Sequence, residues 1–150
     1  GNVALTIPHN KSFIDSELYL CSMELIQNLH EHSQKLIHGD FGYHNIIVDQ
    51  SGKLRLIDWE LAGIGDPRID VSNVLFWTHL HIPEIALRCV NEFLIAYTND
   101  VNLDCLPEVL KAFLIIQVWR MINLVNDHFP IHVKKEWNRR LSWALNHDFL

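Results

Sequence analysis

The segment His38–Asn45 reads H-x-D-x-x-x-x-N, and Ile57-Asp58-Trp59-Glu60 follows it. Asp49-Gln50-Ser51-Gly52 is a turn-forming cluster between the β-branched run Ile46-Ile47-Val48 and the apolar run Leu54-Arg55-Leu56-Ile57. A β-hairpin is therefore predicted, roughly 45–49 paired with 53–58. Antiparallel pairing would bring Asn45, at the start of the first strand, beside Asp58, at the end of the second. An amide oxygen and a carboxylate at one spot form a hard-oxygen site suited to Mg²⁺. Asp40 enters the same end from a loop and can stand near a metal without ligating it. Phosphoryl transfer needs this division of labour: a metal to neutralise phosphate charge, and a separate carboxylate to take the proton of an attacking hydroxyl. Gly39 and Gly42 suit a loop that turns tightly and lets a substrate approach.

The elements that must hold this constellation are mostly helical. Apolar residues from Phe13 to His32 recur at helical spacing, with Ser12 and Asp15 in a capping arrangement. Residues 61–69 contain Gly63, Gly65 and Pro67 and read as loop. One helix is predicted from Asp70, as N-cap, to about Leu80. A second starts at Pro83 and carries Leu87, Val90, Leu94 and Tyr97 on one face. A third spans about Leu106 to His128. A fourth spans about His132 to Asn146, with Trp137, Leu141 and Leu145 inward and Lys134, Lys135, Arg139 and Arg140 toward water. The fold class is mainly α with a small β-hairpin, in one domain without linker or repeat.

Composition sets the limits. With 49% hydrophobic and 20% charged residues in a chain of 150, a compact core is expected. The net charge of −6 opposes nucleic-acid binding and suits a cationic or neutral small substrate. The three cysteines, Cys21, Cys89 and Cys105, are far apart and read as buried thiols of a reducing compartment, which places the protein in the cytoplasm. Among the paired histidines His30/His32, His79/His81 and His128/His132, only the last has helical ligand spacing, and Pro130 breaks it. The most apolar stretch, Ala112–Trp119, is cut by Gln117, is followed by Arg120 and is too short to span a bilayer, so no membrane role is expected.

From Leu36 to about Leu75 the chain resembles the aminoglycoside phosphotransferase and choline kinase group, relatives of the protein kinases. The resemblance is carried by LIHGDFGYHNIIVD, LRLIDWE and GDPRIDVSNVL. Gly39 in place of the arginine usual in protein kinases, and Asp58-Trp59-Glu60 in place of D-F-G, favour the small-molecule branch. The resemblance implies the C-terminal, large lobe of the kinase-like fold, with a catalytic loop at 36–58 and a helical subdomain at 70–148. It implies Asp40 as catalytic base, Asn45 and Asp58 as Mg²⁺ ligands, and His38 as a brace of the loop. Ile47 and Ile57 would floor the adenine of ATP or GTP, and Asp70 would tie its helix to the catalytic loop. The implied partners are a nucleotide and a small-molecule hydroxyl substrate: an aminoglycoside, a choline-like cation, or another amino alcohol or sugar.

Plainer readings stand beside these. Ile47 and Ile57 also fit a core, Asp70 a simple N-cap, and Asp40 taken alone a turn. Glu60 is either a supporting carboxylate or a strand end. Trp59 packs in the core or edges the cleft. Acidic acceptor contacts are expected from Glu92, Asp127 or Asp148, each also a candidate solvated carboxylate. No β-rich segment with a phosphate-pairing lysine is evident in residues 1–150, and Met does not stand at position 1. A fragment that lacks the N-terminal nucleotide-clamping lobe is therefore expected, weak or inactive by itself. A stand-alone, non-catalytic binding or regulatory lobe is the alternative.

Overall fold

The computed structural model describes residues 8–27, 29, 34–100 and 107–150. The described residues form five helices and two small antiparallel sheets: α1 (Ser16–Ile26), β1 (Lys35–Ile37), β2 (Ile46–Val48), β3 (Leu54–Leu56), β4 (Gly63–Gly65), α2 (Arg68–His81), α3 (Ala86–Asp100), α4 (Pro107–Leu124) and α5 (Ile131–Asn146). Single 3₁₀ turns at Tyr43–Asn45 and Trp59–Leu61 flank the hairpin.

The main core joins α2, α4 and α5 with α1 and α3 packed around them. It is built on Leu75, Phe76, Leu114, Trp119, Ile122 and Leu141. Residues Ala112 to Trp119 of α4 are all buried, so this helix is apolar nearly all round, as a central helix must be. Each such side chain withdrawn from water contributes about 1.5–3 kcal/mol. A smaller cluster of Ile37, Ile69 and Phe113 fastens β1 to α2 and α4.

The hairpin forms as its turn chemistry predicts, with Ile46 opposite Leu56, Ile47 opposite Arg55 and Val48 opposite Leu54. Asp49 organises the turn. Its Oδ1 accepts from the Ser51 amide at 2.9 Å and the Lys53 amide at 3.0 Å, and its Oδ2 accepts from Arg55 Nε at 2.8 Å. Together the Ser51 hydroxyl, Arg55 and the Lys53 amide hold the Asp49 carboxyl down at about 2.

Several boundaries differ from expectation. The first helix begins at Ser16, because Asp15 is its N-cap and accepts from the Glu17 amide at 2.8 Å; Ser12 lies in the preceding turn. Residues 61–69 are not all loop: Gly63–Gly65 pairs with Lys35–Ile37 as a second sheet. Pro67, not Asp70, occupies the N-cap of α2, and Asp70 is the third residue of the helix. Pro83 sits in the turn before α3, and Leu87 points to solvent while Val90 is fully buried. The helix that begins at Pro107 ends at Leu124, and α5 begins after Pro130, which separates His128 from His132. Cys21 is exposed and Cys89 half-buried, because α1 turns Ser22, Leu18 and Tyr19 inward and leaves Cys21 on its outer face. His30, His32, Cys105 and Leu106 lie outside the described residues. Among the described residues, no helix is long and apolar enough to cross a membrane.

Candidate active site

The catalytic loop is held from below by α2. The Asp70 carboxylate accepts from the His38 amide (2.7 Å) through Oδ2 and from the Gly39 amide (2.8 Å) through Oδ1. Burial pushes the Asp70 carboxyl up, and these two amides pull against that shift. The carbonyl of Gly39 is held as well: it accepts from Asn73 Nδ2 at 3.3 Å and from Arg120 Nη1 at 2.6 Å. One residue, immediately before Asp40, is thus tied to α2 through both its backbone groups and to α4 through one.

Glycine is required here for a steric reason. Gly39 has φ +81°, and a Cβ would run into the carbonyl of Leu61. At Gly42 a Cβ would meet the His44 ring at 2.7 Å. The ring of His38 is buried and its Nε2 donates to the Ile57 carbonyl at 2.8 Å, joining the catalytic loop to the end of the hairpin. Trp59 meets that ring edge-on at 4.8 Å, and its Nε1 donates to the Leu56 carbonyl at 2.9 Å. Trp59 therefore flanks the catalytic loop on the surface instead of entering the core.

Asp40 and Asn45 meet, and the hairpin backbone brings Asp58 to the same end. The Ile57 amide donates to the Asn45 carbonyl at 2.9 Å, so Asp58 directly follows the residue opposite Asn45. Asn45 is buried, and its Nδ2 donates to the Asp40 carbonyl at 2.8 Å and to Asp40 Oδ2 at 3.3 Å. This fixes the amide orientation and leaves Asn45 Oδ1 as the end able to accept a ligand. Asp58 is exposed, and its backbone is left-handed at φ 63°, ψ 60°. A non-glycine residue there stores about 1–3 kcal/mol of strain, a feature concentrated at functional sites. His44 Nε2 lies 3.4 Å from Asp40 Oδ2.

Ile47 and Ile57 share one face of the hairpin with Arg55, by the alternation of a strand. They are 44% and 40% exposed, so neither belongs to the core. Glu60 is exposed. Glu92, Asp127 and Asp148 do not line the cleft beside Asp40; Glu92 borders a surface hollow near α3, and Asp148 borders a cavity between α4 and the C-terminal segment. Among the described residues, no three His, Cys, Asp or Glu side chains gather to hold a metal. Asn45 and Asp58 would supply two ligands at most. This is too sparse for a free-standing site but fits a Mg²⁺ that brings phosphate and water ligands of its own.

Sequence reasoning missed five contributors. Asn73 is three residues after Asp70 on the same helix face, a spacing visible in the sequence. Gln117 and Arg120 interrupt an apolar helix, also at i,i+3. Asp66 and Arg68 form a buried bidentate pair, with Arg68 Nη2 to Asp66 Oδ2 at 2.6 Å and Nε to Oδ1 at 2.9 Å. Arg68 is 2% and Asp66 0% exposed, and the guanidinium lies over the Phe113 ring at 4.6 Å. This pair fixes the entry of α2, the helix that carries Asp70 and Asn73.

Comparison with known proteins bears on the family and the fold. The model of a family described as "Phosphotransferase enzyme family" matches residues 22–101. A hygromycin-B 4-O-kinase of Escherichia coli is 40% identical over 42 residues, 28% of this chain and 12% of that enzyme. The crystal structure of the choline kinase LicA from Streptococcus pneumoniae superposes with a TM-score of 0.62 at 19% identity, covering 91% of this chain and 50% of that one. The chain thus has the kinase-like fold and spans half the length of that solved relative.

Proposed function

The chain belongs to the phosphotransferase enzyme family, and from that premise we propose that it is the large lobe of an enzyme that moves the terminal phosphate of ATP or GTP to the hydroxyl of a small molecule. The observation that carries this is the contact of Asn45 with Asp40 at the hairpin end where Asp58 also stands. Asp40 is half-exposed and faces a cleft, as a base that must reach a substrate proton does. Its backbone is immobilised through Gly39, so its carboxylate is aimed before substrate arrives. Asn45 Oδ1 and the Asp58 carboxylate, which makes no hydrogen bond to a described residue, are the proposed Mg²⁺ ligands. The metal would neutralise charge on the nucleotide phosphates. Ile47 and Ile57 offer an apolar face of the hairpin for the adenine. His38 braces the loop through the Ile57 carbonyl, and Asp70 holds it from α2.

A second, nucleotide-clamping lobe would complete the site. Half of the choline kinase chain lies outside the match, room enough for such a lobe. Asp40, Asn45 and Asp58 occurring together favour an enzyme over a binding module, which has no chemical need of all three. The test is Asp40→Asn in a protein that contains this chain and the clamping lobe. Transfer should fall by about 10²–10⁴-fold while Mg-nucleotide binding persists; wild-type transfer by the variant would remove Asp40 from its role. By itself, the 150-residue chain should bind Mg-ATP weakly, and submicromolar binding would argue against a need for the second lobe.

A further inference from the structure

The cleft beside Asp40 has a volume of about 390 Å³ and lies between the catalytic loop, α2 and α4. This is within the size range of small-molecule sites. One wall is aromatic: Trp77 and His81 stack with centroids 5.5 Å apart and planes at 15°, and Tyr43 meets His81 edge-on. The facing wall is one stripe of α4, with Gln117 and Arg120 followed by Met121 and Leu124.

Two polar groups on that stripe await a partner. Gln117 is only 7% exposed, lines the cleft, and its side-chain amide makes no hydrogen bond to a described residue. Arg120 donates Nη1 to the Gly39 carbonyl but faces no carboxylate in an ion pair among the described residues. A guanidinium has five N–H donors, so most remain to be used. Among the described residues lining the cleft, Asp40 is the only carboxylate, and the transfer reaction needs it as base.

We propose that the acceptor is a hydroxy acid with an apolar or aromatic body, its carboxylate received by Arg120 and the Gln117 amide and its body lying against Trp77 and His81. The assignment of this ligand as an acceptor rests on the phosphotransfer function above. The hydroxyl oxygen forms a bond to the γ-phosphorus of the nucleoside triphosphate and its proton passes to Asp40. The bond from γ-phosphorus to the bridging oxygen breaks, and the nucleoside diphosphate leaves with that electron pair. A planar guanidinium matches a carboxylate through two parallel hydrogen bonds, and a buried amide with no partner favours a ligand that can bond to it. A polycationic aminoglycoside finds the opposite here. Its ammonium groups would meet Arg120, with no carboxylate but the base to receive them.

Calorimetric titration of the chain with three probes decides the matter: 3-phenyllactate, choline and hygromycin B. The inference expects 3-phenyllactate to bind most tightly, and Arg120→Met and Gln117→Leu each to weaken it by about tenfold or more. Thermal melts check that each variant is folded. Because Arg120 also holds Gly39, Gln117→Leu keeps the test sound if Arg120→Met unfolds. Tighter binding of choline or hygromycin B overturns the proposal. So does no binding of 3-phenyllactate at millimolar concentration, or unchanged affinity in the folded variants. It is equally overturned if Arg120→Met weakens Mg-ATP while leaving the hydroxy acid untouched, which would assign the guanidinium to the nucleotide. Mg-ATP enters only as a separate control titration, so failure of the three acceptor titrations leaves the phosphotransfer function standing. Conversely, normal transfer by the Asp40→Asn enzyme would remove the proposed base and leave the binding result intact.

Discussion

Replacing Gly39 by alanine should be among the most damaging single-methyl changes in this chain, and Gly52 supplies the control. Both glycines are left-handed, with φ of 81° and 80°. An L-residue in that region costs about 1–2 kcal/mol at either position. Alanine also restricts the unfolded chain equally at both, a stabilisation of about 0.4–1 kcal/mol that cancels in the comparison. The surroundings differ. Around Gly52 a Cβ meets nothing within 4 Å, whereas at Gly39 it strikes the Leu61 carbonyl, a backbone atom that cannot swing aside like a side chain. Forcing a methyl into packed structure costs about 1–3 kcal/mol. Gly39→Ala should therefore be less stable than Gly52→Ala by about 1–3 kcal/mol. In a domain of this size, that lowers the melting midpoint by roughly 2–12 °C more, at about 2–4 °C per kcal/mol. Urea unfolding and calorimetric melts of the two variants measure it. Equal stability, within about 0.5 kcal/mol, would show that Leu61 yields freely and that crowding is not what requires glycine before Asp40.

Arg68→Met should remove the guanidinium from the buried Asp66 carboxylate and destabilise by about 3–5 kcal/mol, read from urea midpoints; a loss below about 1 kcal/mol would mean that the pair is replaceable by simple packing. Acid stability should respond to Asp49, whose carboxyl is held at about 2 against the usual 3.8. Its contribution is fully present above pH 3.8 and is lost as pH falls toward about 2, so Asp49→Asn should flatten that part of the stability profile. Glu136, held at about 2 by Arg139 and Arg140, acts in the same direction, so Glu136→Gln measured alongside separates the two contributions. An unchanged acid limb in both variants would locate the acid sensitivity elsewhere.

The hairpin was legible in the sequence because its information is local: a turn cluster between two short apolar runs. The convergence of Asn45 on Asp58 followed from that alone. The pairing of Lys35–Ile37 with Gly63–Gly65 was not legible, because three-residue strands far apart in sequence leave no period to read. The double hold on the Gly39 carbonyl depends on how α2 packs on α4, which no spacing within either helix specifies. The net charge suited a cationic or neutral substrate, and the family resemblance suggested Glu92, Asp127 or Asp148 as acceptor contacts. Net charge does not say which side chains face a cleft, and the one formed here presents Arg120 and Gln117. Cys21 shows the same limit at the level of one helix, where a small apolar residue can fall on either side.

The hold on Gly39 also bears on how the site can move. Local openings of a protein usually begin in loops, where few contacts must be broken at once. Here the loop preceding Asp40 cannot open without releasing Asp70 and Asn73 on α2 and Arg120 on α4. Its opening free energy is therefore bound to that of the helical core, and residues 38–40 belong thermodynamically to the helices although they have no regular structure. The hairpin is placed differently, with Val48 and Leu54 largely exposed and two three-residue strands bonded mainly to each other. Under the proposed function, the motion that admits a nucleotide would fall to the hairpin side of the site, while the backbone before Asp40 stays held by the helices.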